Sequence, residues 1–265
     1  MKTLSLINQK GGVAKTTSVV NIACAVNKIA KENVKEIRVL VVDLDPQGNC
    51  SNTLFKETIG SDGTIARLFE RDFYEEGSIV HNTRFDNICI IPSNITLSEK
   101  EFVAANLIKA HERLSMYLSE IENDYDICIL DCPPSLGLFS LNGLIASDYM
   151  LIPTTLEKYS IDGIKDLFKT VKTIRKVNDK LQVLGILPVM VDNRYNIHKK
   201  LKAEMKIRFE EYYLDDLSIS TNAPLKNAVA QHKTIFEYDY NASTYKQYLT
   251  LANWILKEVG INGAE

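Results

Sequence analysis

No run of about twenty apolar residues interrupts the 265-residue chain, so no stretch of it reads as a transmembrane helix. The N-terminus enters a strand pattern directly, without the basic, apolar, small-residue order of a secretory signal. A cytoplasmic protein with no membrane partner is the expectation. The five cysteines, Cys24, Cys50, Cys89, Cys128 and Cys132, form no C-x-x-C pair, which points to reduced thiols rather than a disulfide framework or a zinc ribbon. Four scattered histidines lack a second ligand at metal spacing, so a zinc site is not expected. An excess of positive charge is also missing. Lys and Arg number 31 against 34 Asp and Glu, net -3, and any nucleic-acid contact must therefore come from a local patch. What remains is 45% hydrophobic content, enough for a full core in a single α/β domain spanning residues 1–265.

The chain is organised around Leu4-Ser-Leu-Ile-Asn-Gln-Lys10-Gly-Gly-Val-Ala-Lys15-Thr-Thr-Ser-Val-Val-Asn21, an apolar run that breaks into a glycine turn and restarts as a helix. This is strand, phosphate loop, helix. Gly11 and Gly12 let the backbone curl with its N–H groups inward, and a helix opening near Lys15 adds the positive end of its dipole. Gly11, Gly12, Val13, Ala14, Lys15, Thr16 and Thr17 thus form a phosphate cradle. Lys15 supplies a point charge to the outer phosphates, and the Thr16 hydroxyl is placed to ligate Mg²⁺. The strict pattern G-x-x-x-x-G-K-[ST] fails twice, at Gln9 and Ala14. A second lysine, Lys10, heads the loop.

A helical pattern from residue 18 to 31 leads to Ile37-Arg-Val-Leu-Val-Val-Asp43, a continuous apolar strand suited to a parallel sheet covered on both faces. The fold class expected is α/β, a doubly wound and mostly parallel twisted sheet with helices on both faces. Strand carboxyl ends face the ligand crevice in such sheets, so Asp43 and Asp45 look toward the phosphates. The string Asp45-Pro-Gln-Gly also reads as a plain turn. A third signal is Tyr125-Asp-Ile-Cys-Ile-Leu-Asp131-Cys-Pro-Pro134: an apolar strand ending in an aspartate that can hold Mg²⁺ through water, followed by two stiffening prolines.

Elsewhere the patterns give a helix near residues 64–69, an acidic stretch at 70–76 without assigned chemistry, a strand at 88–91, and one long helix over 98–121. Further on come a helix at 136–146, a strand at 149–153, a helix at 161–177 and a strand at 181–190. Lys165, Lys169, Lys172 and Lys176 line one edge of the 161–177 helix, unmatched by acids at the same spacing. Such a stripe either follows a phosphate backbone or solvates a helix face. Lys199, Lys202 and Lys206 share one face of a second basic helix. The amphipathic helix at 243–259 has only Lys246 and Lys257 beside its apolar side, so it is expected to pack against the domain rather than on a membrane.

The residues Lys10-Gly11-Gly12-x-x-Lys15-Thr16-Thr17 resemble the deviant Walker A box of the ParA/MinD family of dimerising ATPases, and Ala14 departs from that family's usual glycine. Alanine fits there if its φ is helical. The resemblance runs over nearly the whole chain, and with no room before Thr3 for an N-terminal helix-turn-helix extension it is to the short, Soj-like form. It implies an ATP·Mg²⁺-dependent homodimer in which Lys10 reaches the partner's nucleotide. Asp45 orients the attacking water and helps hold the magnesium shell, with Asp43 in support and Asp131 in the Walker B role. Pro134 falls in the segment that senses the terminal phosphate. Met190, Asp192 and Arg194 fall where the family contacts adenine, and Asn222 is counted with the nucleotide contacts. The same resemblance implies nonspecific DNA binding, nucleoid association when ATP is bound, and a ParB-type partner that stimulates hydrolysis. The family often shows two arginines in the segment matching 219–235. Here they are absent, leaving Lys226 and Lys233 as substitutes. A MinD-like membrane-associated positioning ATPase is the alternative, and a metabolic or redox P-loop enzyme is a second rival, against which Cys128 and Cys132 lack the glycine context of a cluster-binding pair.

Overall fold

β1 (Lys2–Leu6) buries Leu4 and Leu6 and stops where the glycine loop begins. The structure is a computed structural model that describes residues 1–55, 60–70, 78–104 and 107–261. From the loop, α1 (Lys15–Glu32) carries the chain back to β2 (Val39–Asp43). β2 is buried throughout because both its faces are covered: Leu40 and Val42 enter one core, Val39 and Val41 the other. After α2 (Asn49–Leu54) come β3 (His81–Asn82), β4 (Ile88–Ile91), α3 (Thr96–Ala104), α4 (Arg113–Glu120) and β5 (Ile127–Asp131). α5 (Leu138–Ile145), β6 (Tyr149–Thr155), α6 (Ser160–Ile174), β7 (Gln182–Val189) and α7 (Asn196–Arg208) continue the alternation.

Among the described residues the strands form one seven-stranded sheet of order β3-β4-β2-β5-β1-β6-β7, parallel except for β3. β2 and β4 lie to one side of β1, and β6 and β7 to the other. The crevice at the carboxyl end of β1 is therefore the topological switch point, where such sheets bind ligands. β5 sits between β2 and β1, and its register sets Asp131 beside Asp43 on one neighbour and Leu6 on the other.

α8 (Ala223–Ala230) and α9 (Ile235–Tyr238) precede α10 (Ser243–Glu258), which packs along α1. Tyr248 of α10 is fully buried, its hydroxyl 3.3 Å from Ser18 Oγ. The apolar side of α10 is thus covered by the protein's own core, as its flanking charges led one to expect. No helix among the described residues is long and apolar enough to cross a membrane.

The expected single helix over 98–121 is two helices, α3 and α4. Lys109 between them takes a left-handed φ of 55°, which no right-handed helix accommodates, while residues 105 and 106 lie outside the described ones. The segment at 65–69 is a 3-10 helix capped by Thr64. Of the acidic stretch only Glu70 is described, and it pairs with Arg67 and Lys100, both at 2.6 Å.

Candidate functional site

Two residues of the loop after β1 adopt left-handed backbone, Gly12 at φ 72° and Ala14 at φ 53°. Ala14 is the N-cap of α1, and its left-handed φ is not the helical one at which alanine fits without strain. The bend requires a conformation natural to glycine, and alanine holds it at a cost of about 1 kcal/mol. No side chain caps α1, and a Cβ added at Gly11 or Gly12 would meet nothing within 4 Å. The inner face of the loop and the positive end of α1 are open to an anion.

Lys15 is buried inside this loop, where its Nζ donates to the carbonyls of Asn8 at 3.0 Å and Lys10 at 3.1 Å. Burial lowers its pKa, with Asp131 the largest opposing charge. Asn8 braces the loop by accepting from Lys10 N at 3.0 Å and donating to the Pro153 carbonyl at 2.8 Å.

Two aspartates stand at adjacent strand ends behind the loop. Asp43 accepts from Ser51 N at 2.9 Å, Ser51 Oγ at 2.7 Å and Asp45 N at 3.1 Å, yet burial still pushes its pKa up to about 6. Asp131 is as deeply buried, and neither of its carboxyl oxygens has a hydrogen-bond partner. Burial and then the Asp43 charge drive its pKa well up, while the nearby Thr16 hydroxyl and the Lys15 ammonium act the other way. An orphaned buried carboxyl facing a threonine hydroxyl is a defect that a hydrated divalent cation corrects. Thr16, Asp45 and Asp131 therefore fit Mg²⁺. Asp45 opens a turn closed by Gly48 N at 2.9 Å from its carbonyl, as the turn reading of that string expects.

In front of these groups is a cavity of about 400 Å³ whose floor is the loop from Gly11 to Thr17, with Asp45 and Pro134 beside it. Of the residues expected at the base, Met190 is on its wall. Asp192 and Arg194 are not, and pair with each other at 2.6 Å, the guanidinium pulling the Asp192 pKa down to about 2. Asn222 caps α8 through Leu225 N at 3.2 Å and donates to Ser243 Oγ at 3.0 Å. The wall also contains residues the sequence reading did not assign to it: Asn49 and Thr53 of α2, and Val229, His232 and Lys233 at the end of α8. Asn49 was within reach, since it follows directly on Asp45-Pro-Gln-Gly. No local pattern marks the others.

Lys10 turns to β6, with Nζ 2.5 Å from Glu157 Oε2 and 3.3 Å from Thr155 Oγ1. Four lysines of the two basic helices are opposed by acids after all. Lys165 pairs with Asp162 at 3.6 Å and Lys169 with Asp166 at 2.7 Å, three residues upstream rather than at the lysines' own spacing. Lys202 and Lys206 share Asp215, at 2.5 and 3.5 Å. Lys172 and Arg208 face a groove of about 340 Å³ beside the stacked rings of Phe168 and Phe209. Lys199 and Lys226 are exposed, and Lys233, grouped with them from sequence, stands at the cavity instead.

A family model described as an AAA domain (AAA_31) matches residues 1–183. The sporulation initiation inhibitor protein Soj of Bacillus subtilis is 35% identical over 263 residues, 99% of each chain. The chromosome partitioning protein ParA of Myxococcus xanthus is 33% identical over 96% of this chain and 87% of its own. Among solved structures, cobyrinic acid a,c-diamide synthase of Mycobacterium smegmatis with bound ATP analog and magnesium is similar with a TM-score of 0.69 and 29% identity, over 79% of this chain and 83% of that one. With a phosphate loop carrying two lysines, strand-end aspartates around it and full-length likeness to Soj and ParA, the chain belongs to the ParA/Soj-type ATPases of the ParA/MinD superfamily.

Proposed function

We infer that this protein is a DNA-partitioning ATPase: ATP·Mg²⁺ closes two copies into a sandwich dimer, the dimer binds DNA nonspecifically, and a ParB-type partner releases it by stimulating slow hydrolysis. The observation that carries the reading is the second loop lysine. Lys15 alone serves the phosphates of its own chain, and it is already inside the loop. Lys10 is held by an exposed ion pair with Glu157, of a kind worth about 0–1 kcal/mol, and by a long hydrogen bond of 3.3 Å to Thr155 Oγ1. Exchanging that carboxylate for a triphosphate on a facing copy is therefore inexpensive.

When bound, Mg²⁺ supplies positive charge to the outer phosphate oxygens. Thr16 and Asp131 would hold the ion with help from Asp45, which, at the cavity wall, would also orient the attacking water. The backbone N–H groups of Gly11 to Thr17 bind the phosphates, and Lys15 remains with them. Pairing two copies doubles a modest basic patch on one assembly, which multiplies weak phosphate contacts through effective concentration. Lys172, Lys199 and Lys226 are the cations best placed to contribute, since no ion pair to an acid neutralises them among the described residues. α10 packs its apolar side on α1, which favours this reading over a membrane-associated one.

The test is DNA retention with ATP, ADP or no nucleotide at two salt concentrations, for the wild type and Lys10→Ala. Binding should require ATP, weaken with salt and disappear in the variant. Equal retention in all nucleotide states would sink the switch.

A further inference from the structure

Arg84, in the turn between β3 and β4, makes contacts far richer than a surface arginine needs. Its Nε and Nη2 grip Glu237 in a bidentate fork at 2.9 and 2.7 Å. Nη2 also reaches the His232 carbonyl at 3.4 Å, Nη1 donates to the Thr53 carbonyl, and the guanidinium lies 4.7 Å from the Phe85 ring centroid. The side chain is only 22% exposed.

These partners share a place. Thr53 ends the α2 wall of the cavity, and His232, in left-handed backbone at φ 50°, holds the opposite wall with Lys233. Glu237 builds the capping box of α9, accepting from Thr234 N at 2.9 Å and Thr234 Oγ1 at 3.1 Å. Asn21 of α1 accepts from Ile235 N at 2.8 Å, so the same turn is tied to the loop helix as well. Among the described residues, Arg84 is thus the cation that joins α2, the 231–234 turn and α9 behind the cavity, and its hydrogen bonds go to these walls rather than to the phosphate loop.

We propose that Arg84 is a positioning residue for nucleotide binding: it fixes the distance between the α2 wall and the His232–Lys233 wall, and so shapes the end of the cavity that takes the nucleoside rather than the phosphates. This rests on the nucleotide reading of the site. A planar fork is needed because two carboxylate oxygens and two carbonyls in different directions are served at once, which a lysine ammonium cannot do. Removing the fork leaves the phosphate cradle unaltered and lets the nucleoside walls drift.

The experiment measures the affinity of the full chain for ATP and for inorganic tripolyphosphate, each with Mg²⁺, in the wild type, Arg84→Met and Arg84→Lys, with thermal melts to confirm folding. Arg84→Met should raise the Kd for ATP about tenfold and leave that for tripolyphosphate within about twofold, with Arg84→Lys between. Equal weakening of both ligands would show a general structural role and overturn the proposal, as would an unchanged ATP Kd in a folded variant. If Arg84→Met does not fold, Arg84→Lys decides by the same two ratios. A wild type that binds ATP no better than tripolyphosphate would instead overturn the nucleotide reading, and this inference with it.

Discussion

The carboxyl ends of β2 and β5 and the outer faces of α6 and α7 are both rich in charge, yet they treat it in opposite ways. At the strand ends the charges are buried and left short of partners: Asp131 has no hydrogen bond, and Asp43 titrates near 6 in spite of three. On the helices Lys165, Lys169, Lys202 and Lys206 are matched to acids within 4 Å. Buried unpaired charge is expensive, and surface pairs are worth little. The chain therefore destabilises itself where a cation and phosphates bind, and leaves its basic surface nearly neutral, ready to exchange weak partners.

The sharpest way to break that contrast is Asp131→Asn. Magnesium-dependent ATP turnover should fall about a hundredfold or more, a loss typical of removing one transition-state contact. The nucleotide-free protein should become more stable by about 1 kcal/mol, or about 2–4 °C in Tm, because an amide that never ionises replaces an orphaned buried carboxyl. Phosphate release and thermal melts check both halves. A variant that loses stability along with activity would place Asp131 in the scaffold.

Next in size is a pH effect from Asp43. Its folded pKa of about 6 lies above the roughly 3.9 of an unfolded aspartate. Between those values the native state holds a proton that the unfolded state has lost, so this group's contribution falls as pH rises from about 4 to 6 and stays low above. The full span is on the order of 3 kcal/mol. Denaturant midpoints of wild type minus Asp43→Asn, in nucleotide-free protein, should decline across that window. A flat or rising difference contradicts it.

A smaller effect belongs to Ala14→Gly, which relieves left-handed strain at the N-cap of α1 but loosens the unfolded chain. The net gain should stay within about 1 kcal/mol, read as a small rise in Tm. Smallest is Asp215→Asn, which frees Lys202 and Lys206. DNA affinity should rise a few-fold, and the log–log salt slope should steepen by about 1 to 2. An unchanged slope would show that these lysines lie off the DNA surface.

Which parts were legible follows from how they are encoded. The β1–α1 loop and the strands ending at Asp43 and Asp131 are contiguous strings, and the register of a parallel sheet then brings the two aspartates together without further information. The far wall of the cavity has no such string, because it joins Thr53, Met190, Val229 and His232 from segments far apart in the chain. α2 and α9 are six and four residues long, too short to display a helical period. Lys109 ends a helical pattern without a glycine or proline to announce it. The neutralised stripe on α7 was unreadable for a related reason, since Asp215 lies beyond the helix it serves.

Lys10 remains the pivot between the two regions, half-exposed and tied to Glu157. The decisive measurement is the mass in solution, by sedimentation equilibrium, of wild type and Lys10→Ala with Mg²⁺ and either ADP or a non-hydrolysable ATP analogue. The wild type should hold twice its 29.9 kDa with the analogue and a single chain's mass with ADP, and the variant a single chain's mass with both. A wild type that stays at 29.9 kDa with the analogue, or a variant that pairs as well as the wild type, contradicts it.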